Sequence, residues 1–260
     1  MAADGRALME AAAEIARIAS AVALRHFGGA LEVERKPDGS PVTVADREAE
    51  AAAREWIGRH FPADGILGEE YGLVRPEARR RWLLDPIDGT KSFVRGVPLW
   101  GTLVAVVEGD AVRAGAAAFP ALGESLVAAP GLGCWWNGAR CSVSAIDSLG
   151  AATVLTTDER FAAAPARRDG WERLASRAGL ARSWGDCYGY LLVATGRAEV
   201  MVDPVLSAWD CAVLQPIIEE AGGVFTDWRG ARTASGDSAV ATNAGVAAAA
   251  RACLVVPGQG

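Results

Sequence analysis

Several residue types are scarce in this chain, and each shortage removes a class of function. It has two histidines, His26 and His60. Neither has a paired ligand or a nucleophile motif nearby, so a zinc site or a histidine-based nucleophilic relay is not expected. Each follows a helical pattern and reads as a helix-end residue. The five cysteines, at 134, 141, 187, 211 and 253, show no C-x-x-C spacing. They read as buried thiols in a reducing compartment, not as a disulfide framework. Positive charge is also short. Lys and Arg total 26 against 32 Asp and Glu, a net charge of −6, which leaves no basic footprint for nucleic acid. No apolar run approaches membrane-spanning length, and early acidic residues interrupt any secretory-type core. These features predict a cytoplasmic protein with no nucleic-acid or membrane partner. Apolar residues, by contrast, are plentiful. They make up 51% of 260 residues, enough for a substantial core in one large domain or two small ones.

The apolar spacing predicts a helix over 6–27, stopped by Gly28-Gly29, and a second helix capped by Thr43 and closing near Pro62. Short buried strands are expected at Ile66-Leu67 and Trp82 to Leu84. From Trp100 to Ala129, strand-like runs alternate with turns. Asn137-Gly138 signals a type I′ hairpin turn. After residue 150 the texture becomes α/β: strand 153–155, helix 168–178, a strand near 182–184, helix 188–195 and strand 200–202. Helix 208–221, strands 224–226 and 239–241, and helix 245–252 complete the chain. The shift suggests an α+β lobe over 1–150 and an α/β lobe over 151–260, together one domain.

The most informative stretch is Trp82-Leu83-Leu84-Asp85-Pro86-Ile87-Asp88-Gly89-Thr90. Proline biases the residue before it towards extended backbone, so Asp85 is expected to finish a strand. Gly89 lets backbone approach a ligand closely, with amides free to face an anion. Two carboxylates beside a small anion cradle suggest hard cations held against a phosphate. Such ions need more oxygen ligands, and Gly68-Glu69-Glu70 and Trp209-Asp210 supply candidates.

With these motifs in this order, the chain resembles the inositol monophosphatase-like family of Mg²⁺-dependent phosphatases. That family's signatures are D-P-I-D-G-T and W-D followed by a helix ending in E-A-G-G, here Glu220-Ala221-Gly222-Gly223. Val213 departs from the smaller residue usual there, a difference that concerns helix packing. The resemblance implies an α+β fold, a layered αβαβα sandwich, and usually a homodimer. It also implies two or three Mg²⁺ ions, with Glu69, Asp85 and the Ile87 carbonyl at the first and Asp85, Asp88 and Asp210 at the second. The amides of Gly89 and Thr90 would bind phosphate. Thr90 and Asp46, the latter from Thr43-Val44-Ala45-Asp46, would order the attacking water, with Glu69 also in the catalytic set. Lys36 falls in a loop, 36–40, that the family uses as a mobile flap.

Each residue also has a plainer reading. Asp85 and Asp88 alone fit a turn, Asp46 a helix-start charge, Glu69 and Glu70 a solvated pair, and Lys36 plain exposure. Trp209 reads as a packing anchor for Asp210.

The segments 91–101, 184–190 and 202–204 look like the histidinol-phosphatase branch of the family. By that resemblance Asp88, Trp184, Asp186, Asp203 and Asp210 contact substrate. Carboxylates suit the ammonium and imidazole of histidinol phosphate better than the hydroxyls of inositol, and Trp184 or Tyr188 would add an aromatic wall. Asp186 as a helix cap and Asp203 as a turn residue are the plainer alternatives. The expected partner is a small phosphorylated metabolite, with inositol phosphate or another monoester as the competing substrate. A dehalogenase-type phosphatase would need D-x-D near the N-terminus, whereas this chain has D-x-x-D at residue 85. A non-catalytic binder has no use for the water-ordering pair.

Overall fold

The computed structural model describes residues 2–37 and 39–255; Asp38, in the expected flap, lies outside them. Helix α1 (Ala2–Leu24) and helix α2 (Val44–His60) flank a two-stranded hairpin of β1 (Glu34–Arg35) and β2 (Pro41–Val42). The first helix ends three residues earlier than its apolar spacing suggests, because Arg25 to Phe27 continue as hydrogen-bonded turns before Gly28, whose φ is 77°. Next come β3 (Gly65–Gly68), β4 (Gly72–Val74), β5 (Arg80–Asp88), a single turn α3 (Thr90–Phe93), β6 (Gly101–Glu108), β7 (Ala111–Phe119), β8 (Glu124–Ala129), β9 (Gly133–Trp136) and β10 (Ala139–Arg140). These strands form an eight-stranded sheet of order β10-β9-β8-β7-β6-β5-β3-β4, antiparallel except for the β3–β5 pair. Asn137 and Gly138 take φ values of 48° and 80°, as the type I′ turn between β9 and β10 requires.

The rest of the chain gives β11 (Thr153–Thr156), α4 (Arg168–Arg177), β12 (Leu180–Arg182), α5 (Asp186–Ala194), β13 (Val200–Asp203), α6 (Ala208–Glu220), β14 (Val224–Thr226), β15 (Ala239–Thr242) and α7 (Ala247–Leu254). Its five strands pair in the order β12-β11-β13-β15-β14. Helices α1 and α2 cover one face of the large sheet, α5 and α6 lie between the sheets, and α4 and α7 cover the outside of the small one. This is an αβαβα sandwich with three apolar clusters: one under α1 and α2, one around α5 and α6 that reaches both sheets, and one under α4 and α7.

Small residues set the spacing of these layers. Helix α1 meets the large sheet through Ala12, Ile15, Ala16 and Ala19, all buried. On the opposite face, a Cβ at Gly115 would lie 2.7 Å from the Val213 carbonyl and 3.2 Å from its Cα. The glycine in β7 therefore lets the backbone of α6 sit directly on the sheet.

One expectation is corrected. Strand β5 does not finish at Asp85 but continues through Pro86 to Asp88. Asp85 pairs with Leu103 and Asp88 with Gly101, so three steps on β5 face two on β6. This bulge absorbs the proline, which has no N–H to offer the ladder. The Thr102 hydroxyl donates to the Pro86 carbonyl at 2.7 Å and fixes the distortion.

Candidate active site

In a regular strand, residues three apart point to opposite faces. The β5 bulge cancels that alternation. It brings Asp85 and Asp88 to one side, where α6 delivers Asp210. One oxygen from each of these three residues lies within 4.8 Å of the other two. Asp85 is fixed by accepting from the Ile87 N–H at 2.9 Å. Asp88 accepts from the N–H of Cys187 in the first turn of α5. Asp210 occupies the third position of α6, where its Oδ2 accepts from the Ser207 N–H at 3.2 Å and completes a capping box.

The arrangement is electrostatically uncomfortable. Burial first, then Glu69, Asp210 and Asp88, push the Asp85 carboxyl well above the usual range. Burial, Asp186 and Asp210 do the same to Asp88. Asp210 is pushed up to about 8, mainly by burial and then by Glu69. Its Oδ1 is buried with no hydrogen-bond partner among the described residues. Hard oxygen donors, packed together, short of counter-charge and with one oxygen unsatisfied, fit a divalent cation.

Glu69 stands beside Asp85, but its Oε1 accepts from the Lys36 ammonium at 2.7 Å, and the same ammonium donates to Glu70 Oε1 at 2.6 Å. Lys36 is thus an ion-pair partner of both glutamates, not a plainly exposed cation, and Glu70 is not merely solvated.

Asp46 is buried, and its Oδ2 accepts from both the N–H and the hydroxyl of Thr43 at 2.8 and 2.7 Å. Burial raises its carboxyl and these bonds oppose the rise. The Thr90 hydroxyl donates to the Ile87 carbonyl at 2.9 Å. Gly89 precedes α3 with φ 88°, and a Cβ there would stand 2.9 Å from the Leu99 carbonyl. No L side chain fits that corner without displacing it. The first amides of α3 have no acceptor within the helix.

A cavity of about 580 Å³ opens beside this cluster, with Asp88, Lys91, Phe161, Asp186, Asp203 and Asp210 in its walls. Asp186 takes φ 52° and donates its N–H to the Thr157 hydroxyl at 2.8 Å. It therefore opens α5 two residues before the spacing suggests, with Gly185 as the cap. Burial lifts its carboxyl to about 6, opposed by Lys91. Asp203 ends β13, is buried, and accepts from the Tyr190 hydroxyl at 2.9 Å. Burial lifts it to about 7. The aromatic in the cavity wall is Phe161. Trp184 is 40% exposed and lies outside the wall, and Tyr188 packs edge-on against Phe119.

Sequence reasoning passed over Glu50. This fully buried carboxylate pairs with Arg54 and accepts the N–H groups of Glu70 at 2.7 Å and Tyr71 at 3.2 Å. It clamps from below the turn that carries Glu69. Gly68 is obligatory above it, since a Cβ would lie 2.0 Å from Glu50 Oε1. The available signal was a glutamate four residues after Asp46 and four before Arg54, hence on the inward face of α2. The histidines stand apart from the cavity. His26 meets Glu48, and His60 stacks on Trp56 at the end of α2.

Comparison with known proteins agrees with this geometry. A model of the inositol monophosphatase family matches residues 4–257. A histidinol-phosphatase of Chlorobaculum parvum is 45% identical over 90% of this chain and 92% of its own. One from Mycobacterium tuberculosis is 39% identical over 91% of each. Among solved structures, the extragenic suppressor protein SuhB of Bartonella henselae superposes with a TM-score of 0.91 at 26% identity, covering 97% of this chain and 100% of that one. An inositol monophosphatase from Zymomonas mobilis gives 0.85 at 31% identity, covering 95% and 96%.

Proposed function

The chain belongs to the inositol monophosphatase family and is a phosphate monoester hydrolase, and within that family we propose that it is a Mg²⁺-dependent histidinol-phosphatase. The observation that carries the reading is the charge of the cavity. Beyond the Asp85–Asp88–Asp210 cluster, three further carboxylates, Asp158, Asp186 and Asp203, line the same space together with Lys91, where a cationic head would meet an excess of negative charge. The similarity to two proteins named histidinol-phosphatase supports the same substrate.

In this reading Glu69, Asp85 and the Ile87 carbonyl would hold one ion, and Asp85, Asp88 and Asp210 would hold a second. The chemistry Mg²⁺ would supply there is neutralisation of phosphoryl charge and activation of water at neutral pH. The chain itself positions the reactants. Gly89 and Thr90 present amides to the phosphate, and the strict glycine corner keeps them in place. Asp46, anchored by its Thr43 bonds, and Thr90 orient the attacking water. Asp186 and Asp203 receive the ammonium and imidazole end, with Asp203 held by Tyr190. The two lobes, 1–150 and 151–260, act as one catalytic unit because Asp210 comes from the second and the remaining ligands from the first. A homodimer in a reducing cytoplasm completes the reading and suits five free cysteines. No described helix is long and apolar enough to cross a membrane.

Phosphate release from histidinol phosphate, inositol 1-phosphate, AMP and fructose 1,6-bisphosphate, with Mg²⁺ and with excess EDTA, tests this directly. Histidinol phosphate should lead the panel by about tenfold or more in kcat/KM, and EDTA should abolish turnover. Preference for inositol 1-phosphate would overturn the substrate, and full activity in EDTA would overturn the metal.

A further inference from the structure

The edge hairpin of the large sheet sets two thiols opposite one another, far from the cavity. Its register pairs Trp136 with Ala139 and Trp135 with Arg140. One further step brings Cys134 opposite Cys141, and the Cys141 N–H donates to the Cys134 carbonyl at 3.1 Å. Opposed residues of this hydrogen-bonded type have Cα atoms about 5.5 Å apart, within the roughly 4.4–6.8 Å that a disulfide spans. Opposed side chains also share a face. Cys134 is buried in the middle apolar layer, Cys141 is half-buried against the same cluster, and each thiol is the strongest influence on the other's proton affinity. From this geometry we propose that Cys134 and Cys141 are an oxidation site, closing a reversible disulfide across the hairpin when a hydroperoxide is present.

The division of labour follows from the surroundings. The contact with Cys134 holds the Cys141 thiol below its ordinary value, while the same contact and burial push Cys134 up. Cys141, the more open of the two, is therefore the attacking thiolate and Cys134 the resolving thiol. The Cys141 sulfur attacks the peroxide O–O bond, which breaks to give a sulfenic acid and an alkoxide that takes up a proton. The Cys134 sulfur then attacks the Cys141 sulfur, its proton leaving with the hydroxyl as water. Two thiols thus lose two electrons, and the peroxide is reduced to an alcohol and water. The other cysteines are placed differently. Cys187 lies against Asp88 and Cys211 against the Gly236 carbonyl, both thiols pushed up by burial, and Cys253 is buried beside Arg177.

The bridge would close the chain from 134 to 141 next to the far end of α6. There Glu220 accepts the N–H groups of Gly131 and Gly133 at 2.8 and 2.7 Å, and the Val143 N–H donates to Ala221 at 2.9 Å. Oxidation should therefore stiffen this end of the sandwich without touching the cavity, and the inference is independent of the proposed substrate.

The test is to treat the purified full-length protein with hydrogen peroxide, block residual thiols, and map tryptic peptides without reduction. Cleavage after Arg140 separates residues 114–140 from 141–160, so the disulfide appears as these two peptides joined, lighter by two hydrogens than their sum. Titratable thiols in denaturant should fall from five, the number in the sequence, by two, and dithiothreitol should restore them. The oxidised protein should melt at least about 3 °C higher than the reduced one. Cys141→Ser should abolish the joined peptide, and the wild-type map decides the matter even where a variant folds poorly. An unchanged thiol count, a sulfinic acid on Cys141 with Cys134 still free, or a bridge between other cysteines would overturn the proposal.

Discussion

Asp210→Asn should abolish turnover and, in the absence of metal, stabilise the protein. The Asp210 carboxyl rises from 3.8 to about 8 on folding. At pH 7 the unfolded chain carries it ionised while the folded chain holds the proton. Folding therefore loses about 1.36 kcal/mol for each of the roughly three pH units between 3.8 and 7, a ceiling of about 4 kcal/mol. Relaxation and sharing of protons with Asp85 bring the expected figure to about 2 kcal/mol, or about 4–8 °C in Tm for a chain of this size. Asparagine keeps the acceptor for the Ser207 N–H and turns the unsatisfied oxygen into a donor facing Asp85. The pH dependence has a definite sign. A carboxyl whose pKa is raised by folding contributes stability below about pH 4 and loses it as pH rises through about 8. Wild type in EDTA should therefore weaken across that window, and the variant should weaken less. Mg²⁺ should reverse the order, since a ligand at a hundred times its Kd adds about 2.7 kcal/mol to wild type alone. Calorimetry of both proteins at pH 5 and 7.5, with EDTA and with Mg²⁺, is sufficient. A variant less stable than wild type in EDTA at pH 7.5, or one that Mg²⁺ stabilises equally, would refute the reasoning.

Three further outcomes are expected. Asp203→Asn should raise KM for histidinol phosphate about tenfold to a hundredfold, the loss of one charge-assisted contact, and leave inositol 1-phosphate hydrolysis unchanged. The penalty should be greater at pH 8 than at pH 6, because burial holds this carboxyl at about 7; equal losses on both esters would remove Asp203 from recognition. Gly89→Ala should lower kcat by about a hundredfold while the protein stays folded, because the added methyl meets the Leu99 carbonyl at 2.9 Å with φ at 88°, so unchanged kinetics would dissociate this corner from phosphate binding. Glu50→Gln, which strands Arg54 and loosens the turn below Glu69, should lower stability by about 3 kcal/mol and raise the Mg²⁺ concentration for half-maximal activity; an unaltered metal dependence, read by titrating activity and melting temperature, would leave Glu50 with packing alone.

What the sequence discloses and what it conceals divide along the reach of the interactions. The second helix was legible because its cap is local: Thr43 and Asp46 lie three residues apart and satisfy each other. The β9–β10 turn was legible because only residues tolerant of positive φ suit it. Strand β5 was misjudged at Pro86 because proline's effect on its neighbour is local, whereas the bulge that tolerates it depends on β6 and Thr102. That bulge is also what turns a D-x-x-D spacing into two carboxylates on one face. Glu50 shows the same limit more sharply. On its own helix it is one charge among several, and only the arrival of the Gly68–Tyr71 turn, nearly twenty residues later, makes it a buried clamp. Lys36 crosses an even longer stretch, 33 and 34 residues, to reach Glu69 and Glu70. The acidic cluster was therefore recognisable from motif order, while the groups that hold it together were not. They are ordinary residues whose roles arise from contacts between distant segments, and from the need to keep like charges close before any cation binds.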